Sequence, residues 1–132
     1  MSKIYEVTQN VLNIRYNESN KWKGQTGSYK GFCVFENTDY SIRAGIKILR
    51  SYNKRGIKNI RDIIKAFAPP SENDTEKYIK SVCRWTGYDP QMELTSPVMA
   101  SMVISAMIRQ ETGLQLSASH VYEIIINTKS DE

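Results

Sequence analysis

Glu111 is the residue whose type and position could do chemistry. Ile104, Met107, Ile108 and Glu111 are spaced i, i+3, i+4 and i+7, which places them on one stripe of a helix, so the carboxylate continues an apolar face. Gly113, two residues on, predicts the helix end. The carboxylate then lies in the last turn, at the negative end of the helix dipole. Apolar surroundings and dipole both disfavour the ionised form and predict a raised pKa, the property a general acid needs. A long acidic side chain at the edge of such a stripe has a simpler option, which is to turn its carboxyl out to water.

Other catalytic chemistries find little to build on. Cys33 and Cys83 have no histidines or further cysteines at ligand spacing, so no metal site and no cofactor is expected. Both lie among apolar residues and read as buried thiols or as one disulfide. His120 is the one histidine and falls in a predicted helix, in a structural role. Serine–histidine–acid catalysis is therefore poorly supported.

The chain has 132 residues, 40% of them apolar and 24% charged, which is globular composition for a single domain over 1–132 with a core of its own. The net charge of +4 is dispersed. Lys21, Lys23 and Lys30 with Tyr16, Trp22 and Tyr29 form a basic, aromatic stretch, but no dense cationic run or nucleic-acid motif accompanies it. Nucleic acid is not the expected partner; a basic surface equally suits an anionic polymer such as a cell wall. MSKIYEVTQN lacks the apolar core of a signal peptide, and no apolar run reaches membrane-spanning length. The expectation is synthesis in a host cytoplasm, with delivery by a route other than general secretion.

The elements that must position Glu111 follow from periodicity and breakers. Val11 to Tyr16 alternates, and Gly31 to Glu36 is short, aromatic and β-branched; these two are the predicted strands, with 17–30 as the loop between them. Asn37-Thr38-Asp39 starts a helix that runs to about Tyr52 and breaks at Arg55-Gly56. Further helices are predicted over Ile57 to Phe67, stopped by Pro69-Pro70, and over Glu76 to Trp85. Thr95-Ser96-Pro97 opens the helix that carries Glu111, and Ala118 to Ile126 closes the fold before a charged tail. The expected class is α+β, mostly helical, with one small antiparallel hairpin or sheet.

Several stretches resemble known families. Arg109-Gln110-Glu111-Thr112-Gly113 resembles the helix-ending R-Q-E-S-G of lytic transglycosylases, and with Ser117 it is similar to the E-S-G-x-x-x-S of bacterial glucosaminidases; Thr112 stands where serine is usual. Asn10 to Arg15, the Trp22-Lys23-Gly24 turn and Phe32 to Phe35 follow the order of the glucosaminidase segment N-L-F-G-I-K, W-x-G and aromatic strand. Asn73 to Ile79 is similar to the transglycosylase segment N-x-T-x-x-Y-V, whose tyrosine lies against the catalytic glutamate. Residues from Asn10 to Tyr88 also resemble small phage virion proteins that carry N-P-x-N-I-R and W-A-P-P-S-E-N-D-T.

The resemblance implies a lysozyme-like fold, peptidoglycan as substrate and Glu111 as the acid. In those families the glutamate precedes the hairpin, whereas here it follows, so the order implies a circular permutation, which close termini permit. It further implies that Asn13, Tyr78, Trp22 and Glu72 line the substrate site, with Trp22 stacking on a sugar or packing in the core. Glu18, Glu36 and Glu72 are open as a second carboxylate, so hydrolysis and transglycosylation both remain. The alternative is a virion component, partnered by other virion proteins, that keeps the fold without the chemistry.

Overall fold

The computed structural model describes residues 3–129. Its centre is the helix that carries Glu111, α5 (Pro97–Thr112). Ser96 caps it by accepting from the Met99 amide, and Pro97 fits the first turn, where no intrahelical donor is needed. Val103, Ile104, Ala106, Met107 and Ile108 are all buried, a face too wide for one neighbour. Two helices pack on it: α4 (Thr75–Thr86) and α6 (Ala118–Asn127).

The remaining helices complete the layer. α2 (Thr38–Lys54), capped by Asn37, packs on α6, and α3 (Ile60–Phe67) packs on α4. A short α1 (Ile4–Thr8), which the sequence pattern does not announce, packs against the sheet. The sheet has two antiparallel strands, β1 (Gln25–Tyr29) and β2 (Phe32–Phe35), with Tyr29 opposite Phe32 and a bulge between Gln25 and Gly27. The architecture is α+β and mostly helical.

Three expectations are corrected by the structure. The segment from Val11 to Tyr16 is not a strand: Val11, Leu12 and Ile14 are buried, Asn13 is left-handed at φ 50°, and only Arg15 bridges to Phe32. The buried Asn10 amide explains this, because it donates to the carbonyls of Ile14 and Cys33 at 3.0 and 2.9 Å while its oxygen accepts from the Ile14 amide. Backbone pairing is thus confined to the Cys33 amide on the Ile14 carbonyl and the Tyr16 amide on the Gly31 carbonyl, and the Asn10 side chain takes the next groups. β1 lies instead within the stretch read as loop. Lys30 and Gly31, with φ of 51° and 85°, supply the two-residue turn that pairs it with β2.

Residues 57–59 also differ, being extended before α3. Asn59 caps the helix by accepting from Asp62, and the Leu94 amide donates to the Lys58 carbonyl. The predicted ends of the other helices hold to within a residue or two. The expected approach of the chain ends involves residues outside 3–129; within that range Lys3 docks on α5 and Thr128 on Arg50 of α2.

Leu12 packs on Gly45 in α2, and a β-carbon at Gly45 would collide with Leu12 Cδ1. Gly45→Ala gains about 0.5–1 kcal/mol of helix propensity but must overpack a full core at about 1–3 kcal/mol. Net destabilisation is expected in urea unfolding, and a more stable variant would show that the turn at 10–13 yields freely.

Candidate functional site

Four segments meet at the C-terminal end of α5. Glu111 is in its last turn, and Gly113, left-handed at φ 84°, closes the helix with its amide on the Arg109 carbonyl. Lys3 Nζ donates to the Thr112 carbonyl at 2.7 Å, so a cation meets the negative end of the dipole. From the turn after α1, Asn13 Nδ2 donates to Glu111 Oε1 at 2.9 Å and reaches the Glu111 carbonyl at 3.3 Å. Asn13 is partly buried and holds a backbone conformation that costs a non-glycine residue energy, a feature that concentrates at functional sites. That turn is pinned by Asn10 and by the Val11 amide, which donates to Ser41 Oγ of α2.

Tyr78 comes from α4 and is 3% exposed. Its hydroxyl interacts with the Glu111 carboxyl but stands outside full hydrogen-bond geometry, so it is a buried donor without a completed bond. Burial, and then the neighbouring Glu111 charge, push the phenol well above its ordinary pKa, so it stays protonated. Burial also pushes the Glu111 carboxyl above its ordinary value. The Asn13 bond, the Tyr78 hydroxyl and the Arg15 charge pull it back without cancelling the rise. A carboxyl so placed holds its proton to higher pH than an exposed glutamate, and the Asn13 amide fixes its orientation.

The α3–α4 loop supplies the fourth segment. Thr75 is buried and its hydroxyl donates to the Ala68 carbonyl at 2.6 Å, while Asp74 caps α4 through the Lys77 amide. The Ala68 to Thr75 motif is thereby closed at its two ends. It presents Glu72, exposed, 3.6 Å from Arg15, whose guanidinium also lies over the Phe32 ring at 5.2 Å.

The structure therefore gathers Glu111, Asn13 and Tyr78, with Glu72 joined to them through Arg15. Trp22 stands apart from the carboxyl, in an adjoining cleft that Asn13 and Arg15 also line, and its buried indole N–H has no acceptor. Asn10 and Arg15 lie at the two ends of the segment that resembles N-P-x-N-I-R, which was their signal, but they are not among the site residues expected from the sequence. His120 pairs with Asp39 at 2.7 Å on the surface, away from this site. Cys33 and Cys83 are free thiols rather than a disulfide. Among the described residues no acidic, histidine and cysteine side chains cluster as a metal site would need, and no helix is long and apolar enough to cross a membrane.

Removing the Asn13 amide should raise the Glu111 pKa further, because that hydrogen bond favours the ionised carboxylate. Asn13→Gly is the suitable variant, since glycine keeps the left-handed turn without strain. Titration of the Glu111 carboxyl carbon by NMR should show the midpoint displaced upward; an unchanged midpoint would mean that water replaces the amide.

No protein-family model matches the chain. It is 38% identical over 109 residues to Protein P5 of Pseudoalteromonas phage PM2, an alignment that covers 79% of this chain and 68% of that protein. Identity at that level over more than two thirds of the relative means that the chain belongs to the family of phage Protein P5.

Proposed function

We propose that the protein cleaves the glycan strand of peptidoglycan, in the manner of a lysozyme or lytic transglycosylase, with Glu111 as general acid. The carrying observation is the 2.9 Å contact from Asn13 to Glu111 beneath the buried Tyr78 hydroxyl. It joins two residues 98 positions apart that fall in separate motif resemblances. Glu111 would protonate the glycosidic oxygen as the C1–O4 bond breaks; a new bond to C1 then forms from water in hydrolysis, or from the 6-hydroxyl of the same sugar in transglycosylation, and the proton that this oxygen sheds returns to the Glu111 carboxylate, with Asn13 and Tyr78 orienting the group throughout. Their order along the chain fits a circular permutation of the lysozyme-like fold. Trp22 and Glu72 would contact sugar on either side.

The kinship with a phage protein supports delivery by a virion, with other virion proteins as partners and the host wall as target. It equally favours a second reading, a virion component that keeps this fold without turnover. Digestion of purified peptidoglycan with mass analysis separates the two. Soluble fragments with a reducing end indicate hydrolysis, and an anhydro end indicates transglycosylation; an intact wall after prolonged incubation with folded protein supports the structural role.

A further inference from the structure

Arg109 leaves α5 on the side away from the candidate acid, because residues two positions apart on a helix point in nearly opposite directions. Its guanidinium carbon lies 4.2 Å from the centre of the Trp85 ring on α4, and the residue is half-buried. Among the described residues no carboxylate, carbonyl or hydroxyl accepts a hydrogen bond from it. Stacking holds a guanidinium in place without neutralising it, so its fork of N–H donors stays open to a planar acceptor.

Arg109 lines a pocket of about 270 Å3 between α4, α5, α6 and the loop before α6. No aspartate or glutamate lines this pocket, and neither Asn13 nor Tyr78 reaches it. Trp85, Met102 and Leu116 give it apolar walls. Ser105 donates its hydroxyl proton to the Leu116 carbonyl at 2.6 Å, which ties the loop to α5 and leaves the serine oxygen as an acceptor. The pocket thus offers a planar cation, apolar walls and an acceptor for an N–H group.

A bare anion would use the arginine and waste the walls, and a neutral apolar group would use the walls and waste the charge. The last residue of a peptide uses everything: its carboxylate suits the Arg109 fork, its side chain the walls, and its amide N–H the Ser105 oxygen. We infer that this pocket binds the free carboxyl terminus of a peptide partner that ends in an aliphatic residue. The inference goes beyond glycan cleavage and does not rest on it, since none of the residues assigned to that chemistry lines the pocket.

The test is nitrogen NMR on the isotopically labelled, unaltered protein, whose two tryptophans report on separate places. The probe is acetyl-Gly-Ala-Leu with a free carboxylate, titrated beside its C-terminal amide, acetyl-Gly-Ala-Gly and inorganic phosphate. The free acid should move the Trp85 indole signal saturably while that of Trp22 stays in place. The amide should bind at least about tenfold more weakly, the usual worth of a hydrogen bond to a charged group. The glycine-ended peptide, which leaves the walls empty, should bind several-fold more weakly. Arg109→Lys keeps the charge and loses the fork, and Ala118→Leu fills the pocket from α6 while leaving Arg109 as it is. Each should weaken binding several-fold, with the remaining backbone signals showing that the variant is folded. Equal binding of acid and amide, equal binding of the glycine-ended peptide, or an equal response to phosphate overturns the inference. So does undiminished affinity in either folded variant, or no saturable Trp85 shift at millimolar peptide.

Discussion

Glu111→Gln should lower glycan cleavage by about a hundred- to ten-thousand-fold, the usual worth of a positioned general acid. Glutamine keeps the shape of the side chain, and its oxygen can still accept from Asn13 Nδ2, so the turn at 10–13 should stay docked. What it lacks is a proton to give. The same variant should change the pH dependence of stability. Burial raises the folded pKa of Glu111 above its value in the unfolded chain, so between the two values the native state holds more protons. The stabilisation linked to this group is complete below the unfolded value and is lost as pH rises through the folded one. A permanently neutral glutamine removes that loss, so the variant should be more stable than the parent at neutral pH and its profile flatter. Urea unfolding between acid and neutral pH, run beside the wall digestion, checks both halves. Retained cleavage would remove Glu111 from the chemistry, and an unaltered stability profile would mean that water already solvates the carboxyl.

Asn10→Ala is expected to have the largest effect on the fold. The Asn10 side chain is fully buried and satisfies three backbone groups, the amide and carbonyl of Ile14 and the carbonyl of Cys33. The Ile14 carbonyl keeps the Cys33 amide as donor, so truncation strands the Ile14 amide and the Cys33 carbonyl; at about 1–3 kcal/mol for each buried unsatisfied group the loss should be about 2 kcal/mol or more. That is a large part of the roughly 5–15 kcal/mol that holds a domain together. The consequence reaches the site, because the same turn places Asn13 on Glu111. At temperatures where the variant remains folded, its Glu111 should titrate higher than in the parent, as in Asn13→Gly. Equilibrium unfolding in urea measures the first effect and carboxyl-carbon NMR the second. A loss well under about 1 kcal/mol would show that water reaches the stranded groups.

The sequence by itself determined what is local. Helix ends were legible because the caps are chemical: Asn37 and Ser96 accept amides of the first turn, and Gly113 adopts the left-handed stop. The apolar stripe that carries Glu111 was legible for the same reason, since helical spacing fixes which residues share a face. The site residues could be named through motifs, but spacing carried no distance between them. Only the tertiary structure decided that Asn13, 98 positions away, bonds to Glu111, and that Tyr78 and Arg15 adjust its charge. It also decided that Val11 to Tyr16 is a turn region. Alternation favours a strand, but here pairing stops after Ile14 to Tyr16 because a buried asparagine takes the Ile14 amide and the Cys33 carbonyl, and nothing in the local pattern shows that its amide will meet Cys33. The polar strand Gln25–Tyr29 was hidden for the converse reason: its pairing comes from the Lys30-Gly31 turn and the partner strand, and not from a hydrophobic pattern of its own.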